Sequence, residues 1–219
     1  MPLQIGLLGK QLFLVVFTLL PIINPLGLTP IYLGMTAGWS EDARASLARR
    51  IGIYTFFLLL SATFLGSLVL AFFGLSLDAV RIGGGLLVAA SGWRLLNSDP
   101  DVHVEALVDP SDDLISSRAF YPLTFPLTCG PGSISVALTL GAGLFSEGIQ
   151  IDARSFATLA GLLIVSALVY LCYRSAPRLG GLIGRTGSIV MLRLSAFILL
   201  CLGVQILLDA GFKILKAHV

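Results

Sequence analysis

The sequence predicts an all-α membrane protein, with six transmembrane helices in two inverted three-helix repeats and helices 1 and 4 discontinuous. Three observations carry that prediction. Of the 219 residues, 56% are hydrophobic and only 12% charged, with a mean hydropathy of +0.95, well beyond the balance of a soluble domain. The 30 residues from Gln11 to Ser40 contain no Lys, Arg, Asp or Glu, and at about 1.5 Å per residue they can cross a hydrocarbon core roughly 30 Å thick. The middle of that stretch is broken by prolines, and the break recurs 105 residues further on.

The first break is Pro21-Ile22-Ile23-Asn24-Pro25-Leu26-Gly27-Leu28-Thr29-Pro30. Proline lacks an amide proton, clashes with the preceding turn and pushes the residue before it out of the helical region, so Asn24 and its neighbours are expected to leave the helix. Irregular backbone survives at membrane depth only where it is buried in protein or lines a polar cavity, and paired discontinuous helices mark a midplane binding site. A shift of 105 residues lays Leu20–Gly38 over Phe125–Gly143 with five of nineteen positions identical, Pro21/Pro126 and Gly27/Gly132 among them. The second break, Pro126-Leu127-Thr128-Cys129-Gly130-Pro131-Gly132, then falls at the same depth, with Cys129 in the slot of Asn24. A bend made only for packing needs no twin.

The elements follow in order. Residues 1–97 form the first repeat, opening with a segment that carries only Lys10 ahead of an apolar run too long for a signal peptide, and so reads as a retained first helix. Trp39 to Arg50 reads as an amphipathic connector with Ser40 as N-cap. The 27 charge-free residues from Ile51 to Leu77 contain the second span, and Asp78 to Asn97 the third, with Arg81 near its start and Gly83-Gly84-Gly85 permitting close helix contact. Residues 98–118 are an acidic linker, with six acidic residues between Ser98 and Ser117 and no apolar periodicity. Residues 119–219 repeat the plan. Phe120–Phe145 is the broken fourth span, Ser155–Tyr173 the fifth and Ser188–Phe212 the sixth, with Arg193 placed as Arg81 is in the third. Because three is odd, the second repeat enters the bilayer from the opposite side.

Lys and Arg set the orientation. The side holding both termini has five of them, and the other has nine, among them Arg44, Arg94, Arg174 and Arg178, which places both termini on the non-cytoplasmic side.

A site for a zwitterion or anion needs something to hold a carboxylate, and helix N-termini supply unpaired amides and a positive dipole end. In the first break Gly27, Leu28 and Thr29 are expected to offer amides to a half-helix beginning near Pro30; in the second, Gly132, Ser133 and Ile134 do so. The candidate substrate-binding residues are Asn24, Pro25, Gly27, Thr29, Thr128, Gly130, Pro131, Gly132, Ser133 and Ser135, the Asn, Thr and Ser side chains fixing orientation by hydrogen bonds.

No carboxylate lies near the centre of any span, so a coupling ion, H+ or Na+, would have to use carbonyls and hydroxyls at the breaks; no cofactor is indicated. Enzymatic chemistry is not expected. There is no His-Glu-x-x-His helix or Gly-x-Ser-x-Gly elbow, and both histidines, His103 and His218, fall in a loop and a tail. Cys129, Cys172 and Cys201 are isolated, without the spacing of a zinc site or disulfide framework. A net charge of +2 and the lack of a basic run give no sign of a nucleic-acid partner. The expected partners are a small-molecule solute and the lipid bilayer, with Gly83–Gly85 and Gly180/Gly184 as places where a homo-oligomer could form.

The motifs Asn24-Pro25-Leu26-Gly27 and Gly130-Pro131-Gly132 resemble the MarC family of bacterial and archaeal inner-membrane proteins, whose hallmarks are Asn-Pro-hydrophobic-Gly in the first helix and Gly-Pro-Gly in the fourth. The resemblance covers essentially the whole chain. It implies two inverted triplets, kinship with lysine-exporter-like transporters and, from archaeal relatives, transport of small neutral amino acids such as glycine and alanine. Cys129 sits where relatives more often carry a small apolar residue. The expected function is therefore secondary transport of small neutral amino acids, against two rivals: an exporter of another small solute, and a non-transporting membrane protein in which the breaks serve packing.

Overall fold

The computed structural model describes residues 2–97, 110–144 and 153–217. Within them the chain is helical and without strands: α1 Pro2–Ile23, α2 Pro25–Met35, α3 Glu41–Phe73, α4 Leu77–Asn97, α5 Asp112–Arg118, an irregular wound segment Ala119–Thr128, α6 Pro131–Leu144, α7 Ala153–Arg174 and α8 Ala176–Ala217. Three stretches are long and apolar enough to cross a membrane, Glu41–Gly66, Ala153–Arg174 and Ile189–Lys213. The count rises to five if each of two bent pairs is one span: Leu8–Ile23 with Pro25–Met35, bent by 41°, and Asp112–Thr128 with Pro131–Leu144, bent by 73°.

Several expected boundaries move. The connector over Trp39–Arg50 is no separate element, because α3 begins at Glu41 and continues through the span for 33 residues. Ser40 is the N-cap as expected, its side chain accepting from the Ala43 amide at 3.3 Å, with Glu41 and Asp42 in the first turn where the dipole favours them. Gly74, at φ 65°, ends the helix in the left-handed conformation that suits glycine. The last part of the linker is ordered as α5, capped by Ser111 on the Leu114 amide; residues 98–109 lie outside the described residues, as do His103 and His218. Gly184, at φ 68°, kinks α8 ahead of its apolar stretch.

The packing is inside-out relative to a soluble protein. Phe13, Phe57, Phe72, Phe156, Phe197 and Phe212 are exposed, whereas the buried polar side chains among the described residues are all Ser or Thr. A hydroxyl can be buried in an apolar medium because it bonds the carbonyl one turn back, as Thr36 does to Tyr32 at 2.8 Å. Arg81 lies toward the start of α4, as expected, whereas Arg193 lies inside α8, past the Gly184 kink. Arg81 and Lys213 meet Asp78 at 3.3 and 3.5 Å, and the Arg193 guanidinium donates to the Leu96 carbonyl in the last turn of α4.

Glycines set the helix approaches. Of the glycine run in α4, Gly84 faces Ser135 of α6 and Gly85 faces Leu207 and the Gly203 carbonyl of α8, while Gly83 is open. A Cβ at Gly92 would lie 2.9 Å from the Ala196 carbonyl oxygen and the Leu200 Cα, and one at Gly203 2.7 Å from the Ala89 Cα. Backbone cannot step aside as a side chain can. Gly92→Ala and Gly203→Ala should therefore each destabilise by about 1–3 kcal/mol, read as a fall in thermal midpoint in detergent. Gly83→Ala, on the same α4 with nothing within 4 Å of its Cβ, should hold or raise the midpoint through helix propensity.

Each bent pair packs on the longer helices, with α3 lying along α6 more extensively than α2 lies along α7. α1 lies on α7 and the 119–128 segment on α3; α2 lies on α8 and α6 on α4; α3 meets α7, and α4 runs along α8 in the most extensive contact of all. Both broken helices are thereby held against continuous ones.

Candidate functional site

The two breaks are built differently. In the first, only Asn24 leaves the helical path, at φ 46° and ψ 55°. Asparagine tolerates that left-handed conformation better than other residues with a Cβ. Its carbonyl accepts from Leu28 N at 3.2 Å and its side-chain oxygen from Gly27 N at 3.2 Å. The second half-helix thus starts at Pro25 rather than near Pro30, because proline is well placed in a first turn and Asn24 supplies both break and cap. Pro21 and Pro30 are both carried inside helices. The Gly27 and Leu28 amides expected to face a ligand are already bonded to Asn24.

The second break is longer. Tyr121 (φ −119°, ψ 125°) and Phe125 (φ −117°, ψ 126°), the residues before Pro122 and Pro126, are extended, as a following proline dictates. Thr124 and Thr128 donate to the carbonyls of Ala119 and Leu123 at 2.6 and 2.7 Å, closing the loosened turns, and Thr128 also shares a 2.8 Å hydrogen bond with the Tyr173 hydroxyl. α6 begins at Pro131, and its first internal bond runs from Ile134 N to the Gly130 carbonyl at 3.2 Å. Gly130, not Cys129, therefore does the work of Asn24, one residue off the 105-residue register. Glycine has no side chain to cap with. The Gly132 and Ser133 amides, in the first turn, have no acceptor within their own helix, and the Ser133 hydroxyl turns to the Gly130 carbonyl at 2.9 Å.

The residues that carry these amides line a cavity of about 480 Å³, together with Pro126 to Thr128, Gly130 and Pro131 of the second break, Ile22 and Leu28 flanking the first, and Leu87, Val88, Ser91, Arg94 and Leu95 of α4 with Leu199 of α8. Its volume is in the range of small-molecule sites, and its walls are mostly apolar with a few polar groups. Arg94 brings the one charged side chain in the lining, is exposed, and makes no ion pair or hydrogen bond among the described residues. A cation near a helix N-terminus, with no carboxylate in the walls, favours a ligand that carries a carboxylate or another anionic group.

Of the ten candidate residues, the structure brings Thr128, Gly130, Pro131, Gly132 and Ser133 to this cavity. Asn24, Pro25, Gly27, Thr29 and Ser135 do not line it. Thr29 donates to the Pro25 carbonyl at 3.0 Å, Ser135 reaches across to the Val80 carbonyl of α4 at 2.8 Å, and a Cβ on Gly27 would strike Ser195 of α8. These five shape the break and its packing. Sequence reasoning did not anticipate the α4 wall, although Leu87, Ser91, Arg94 and Leu95 recur at helical spacing on one face. It also did not anticipate the stack of Tyr32 on Tyr173, with centroids 4.7 Å apart and planes within 1°, which links α2 to α7 and, through the Tyr173 hydroxyl, to Thr128 of the second break.

Residues 9–215 match a family described as MarC family integral membrane protein. The chain is 29% identical over 221 residues to the inner membrane protein MarC of Salmonella typhimurium, covering 96% of this chain and 98% of that one. It is equally similar to the protein of that name from Salmonella typhi, and 28% identical over 218 residues to that of Escherichia coli O1:K1. No solved structure matches.

Proposed function

The chain belongs to the MarC family of integral membrane proteins, and from that premise we propose that it is a secondary transporter of small neutral amino acids, glycine- or alanine-like, held at the cavity between the broken helices. The observation that carries this reading is that one cavity takes in the second break with the uncapped first turn of α6 and reaches Ile22 and Leu28 on either side of the first break. Secondary transporters hold substrates at such discontinuities, where amides meet a carboxylate without a buried counter-charge. The ammonium of a zwitterion would rest on carbonyl oxygens. Neither a metal nor a catalytic group enters the mechanism, and a coupling ion would use the same carbonyls and hydroxyls.

In this reading the chain spans the bilayer six times as two inverted triplets. The packing supports it, since exchanging α1, α2, α3 and α4 for the 119–128 segment, α6, α7 and α8 turns each contact named above into another of them. α4 serves as the third span. Its 21 residues reach about 31 Å, and its charges, Asp78, Arg81 and Arg94, sit near its two ends. The relatives named above are inner membrane proteins, and we place this chain likewise, with both termini on the non-cytoplasmic side and the arginine-rich face inside.

The test is ligand-induced stabilisation of the purified protein by glycine, alanine and serine against a non-amino-acid control. A bound ligand raises the midpoint with its concentration. A rise confined to the amino acids supports the reading; none at millimolar concentration turns the assignment toward another solute or a non-transporting role. Arg94→Gln should weaken the apparent affinity by about three- to ten-fold, as expected for losing one exposed charge-assisted contact, and that loss should shrink at high salt.

A further inference from the structure

Away from the breaks, a second cavity of about 280 Å³ lies where the start of α3 meets the junction of α7 and α8. It is lined by Glu41, Arg44, Leu171, Arg174, Ser175, Pro177 and Arg178, so three guanidiniums surround it against one carboxylate. None of the three arginines has an ion pair among the described residues, and Glu41 lies beyond salt-bridge distance of all three. Arg44 is the most enclosed of the three. Its side chain is half-buried, and its Nε is fully buried with no hydrogen-bond partner. Its backbone is fixed in place, the carbonyl accepting from the Tyr32 hydroxyl at 2.8 Å. That Nε–H is closed to the cavity, so a ligand would meet Arg44 through its terminal Nη groups, beside the guanidiniums of Arg174 and Arg178.

We propose that this cavity is a binding site for a phosphate group, whether the headgroup of an anionic phospholipid or free phosphate. Phosphate offers several acceptor oxygens to guanidinium forks and answers the net positive charge of the walls. Position favours a headgroup. The cavity lies at the ends of α3 and α7, where apolar spans give way to polar residues, and basic pockets between spanning helices at that level take lipid headgroups. The site is independent of the transport reading. A ligand there would tie the α3 start to the α7–α8 junction, holding one element of each repeat.

The experiment follows the thermal midpoint of the purified full chain in neutral detergent. Sodium phosphate is compared with sodium chloride at equal ionic strength, and phosphatidylglycerol with phosphatidylcholine in mixed micelles. The proteins are wild type, Arg44→Gln, Arg174→Gln with Arg178→Gln, and, as a control for lost charge elsewhere on α3, Arg49→Gln. A phosphate-specific rise is expected in wild type and Arg49→Gln, with apparent affinity falling about five-fold per arginine removed from the cavity. A rise with phosphatidylglycerol alone assigns the site to lipid; a rise with both assigns it to the phosphate group itself. Because Arg174 and Arg178 are exposed and without ion pairs, their double variant keeps the test decisive even if Arg44→Gln does not fold. No phosphate-specific rise, or an equal loss in Arg49→Gln, overturns the proposal.

Discussion

Gly132→Leu is expected to abolish ligand-induced stabilisation and transport while leaving a protein that still inserts and folds. Gly132 sits in the uncapped first turn of α6, and a Cβ there would run into Val88 of α4, with the Gly84 carbonyl oxygen next at 3.7 Å. Both Gly132 and Val88 line the cavity, so a leucine side chain is driven into the space where the ligand lies. At about 100 times Kd a ligand contributes about 2.7 kcal/mol of stability, and all of that should vanish. Overpacking could lower the unliganded midpoint as well, so the effect on the fold has to be separated. Gly132→Ala supplies the separation. Its Cβ runs into the Val88 Cγ2 and lies 3.3 Å from the Val88 Cβ, and a β-branched side chain in a helix has little freedom to turn away, so its midpoint should fall and Val88→Ala in the same protein should restore both midpoint and ligand response. Uptake of glycine into proteoliposomes is the second readout. If Gly132→Leu keeps full uptake, the cavity is not on the substrate's path.

The same residue shows how much of the site could be read from the sequence. Prolines state their consequences locally, so both breaks were legible, as was the extended backbone at Phe125 before Pro126. Register was harder. The identities Pro21/Pro126 and Gly27/Gly132 give an offset of 105, yet the carbonyls that open the two half-helices belong to Asn24 and Gly130. One extra residue is absorbed by the irregular turns before α6. The 105-residue offset sets Cys129 opposite Asn24, yet Cys129 is wholly buried and absent from the cavity walls. Nor does a proline in a charge-free run say which side of it a helix begins. Asn24 in a left-handed conformation turns the chain within one residue, which makes Pro25 a first-turn proline and leaves Pro30 inside the helix. The α4 wall was illegible for a different reason. Val88 and Arg94 acquire their role only once Gly84 lets α4 approach α6, and that contact is a property of two distant segments.

The discontinuity itself depends on Asn24, and three substitutions there distinguish a residue that shapes the site from one that touches substrate. Asn24→Ala removes the cap on the Gly27 amide and forces a Cβ-bearing residue without a helpful side chain into φ 46°. Loss of an N-cap costs roughly 0.5–2 kcal/mol and the left-handed conformation roughly 1–2 kcal/mol more, so this variant should show one of the largest falls in midpoint in the protein. Asn24→Gly keeps the backbone conformation at no steric cost, and glycine is itself a fair N-cap, so its midpoint should fall by only about a few tenths of a kcal/mol equivalent. Asn24→Asp keeps the acceptor for Gly27 N but brings a charge toward the membrane interior, and should lie between the two. Because the Asn24 side chain is spent on Gly27 and does not line the cavity, amino-acid binding per folded molecule should survive in Asn24→Gly. Loss of binding in that variant at an unchanged midpoint would instead make the Asn24 amide a direct ligand, and would require the first break to open its cap when substrate arrives.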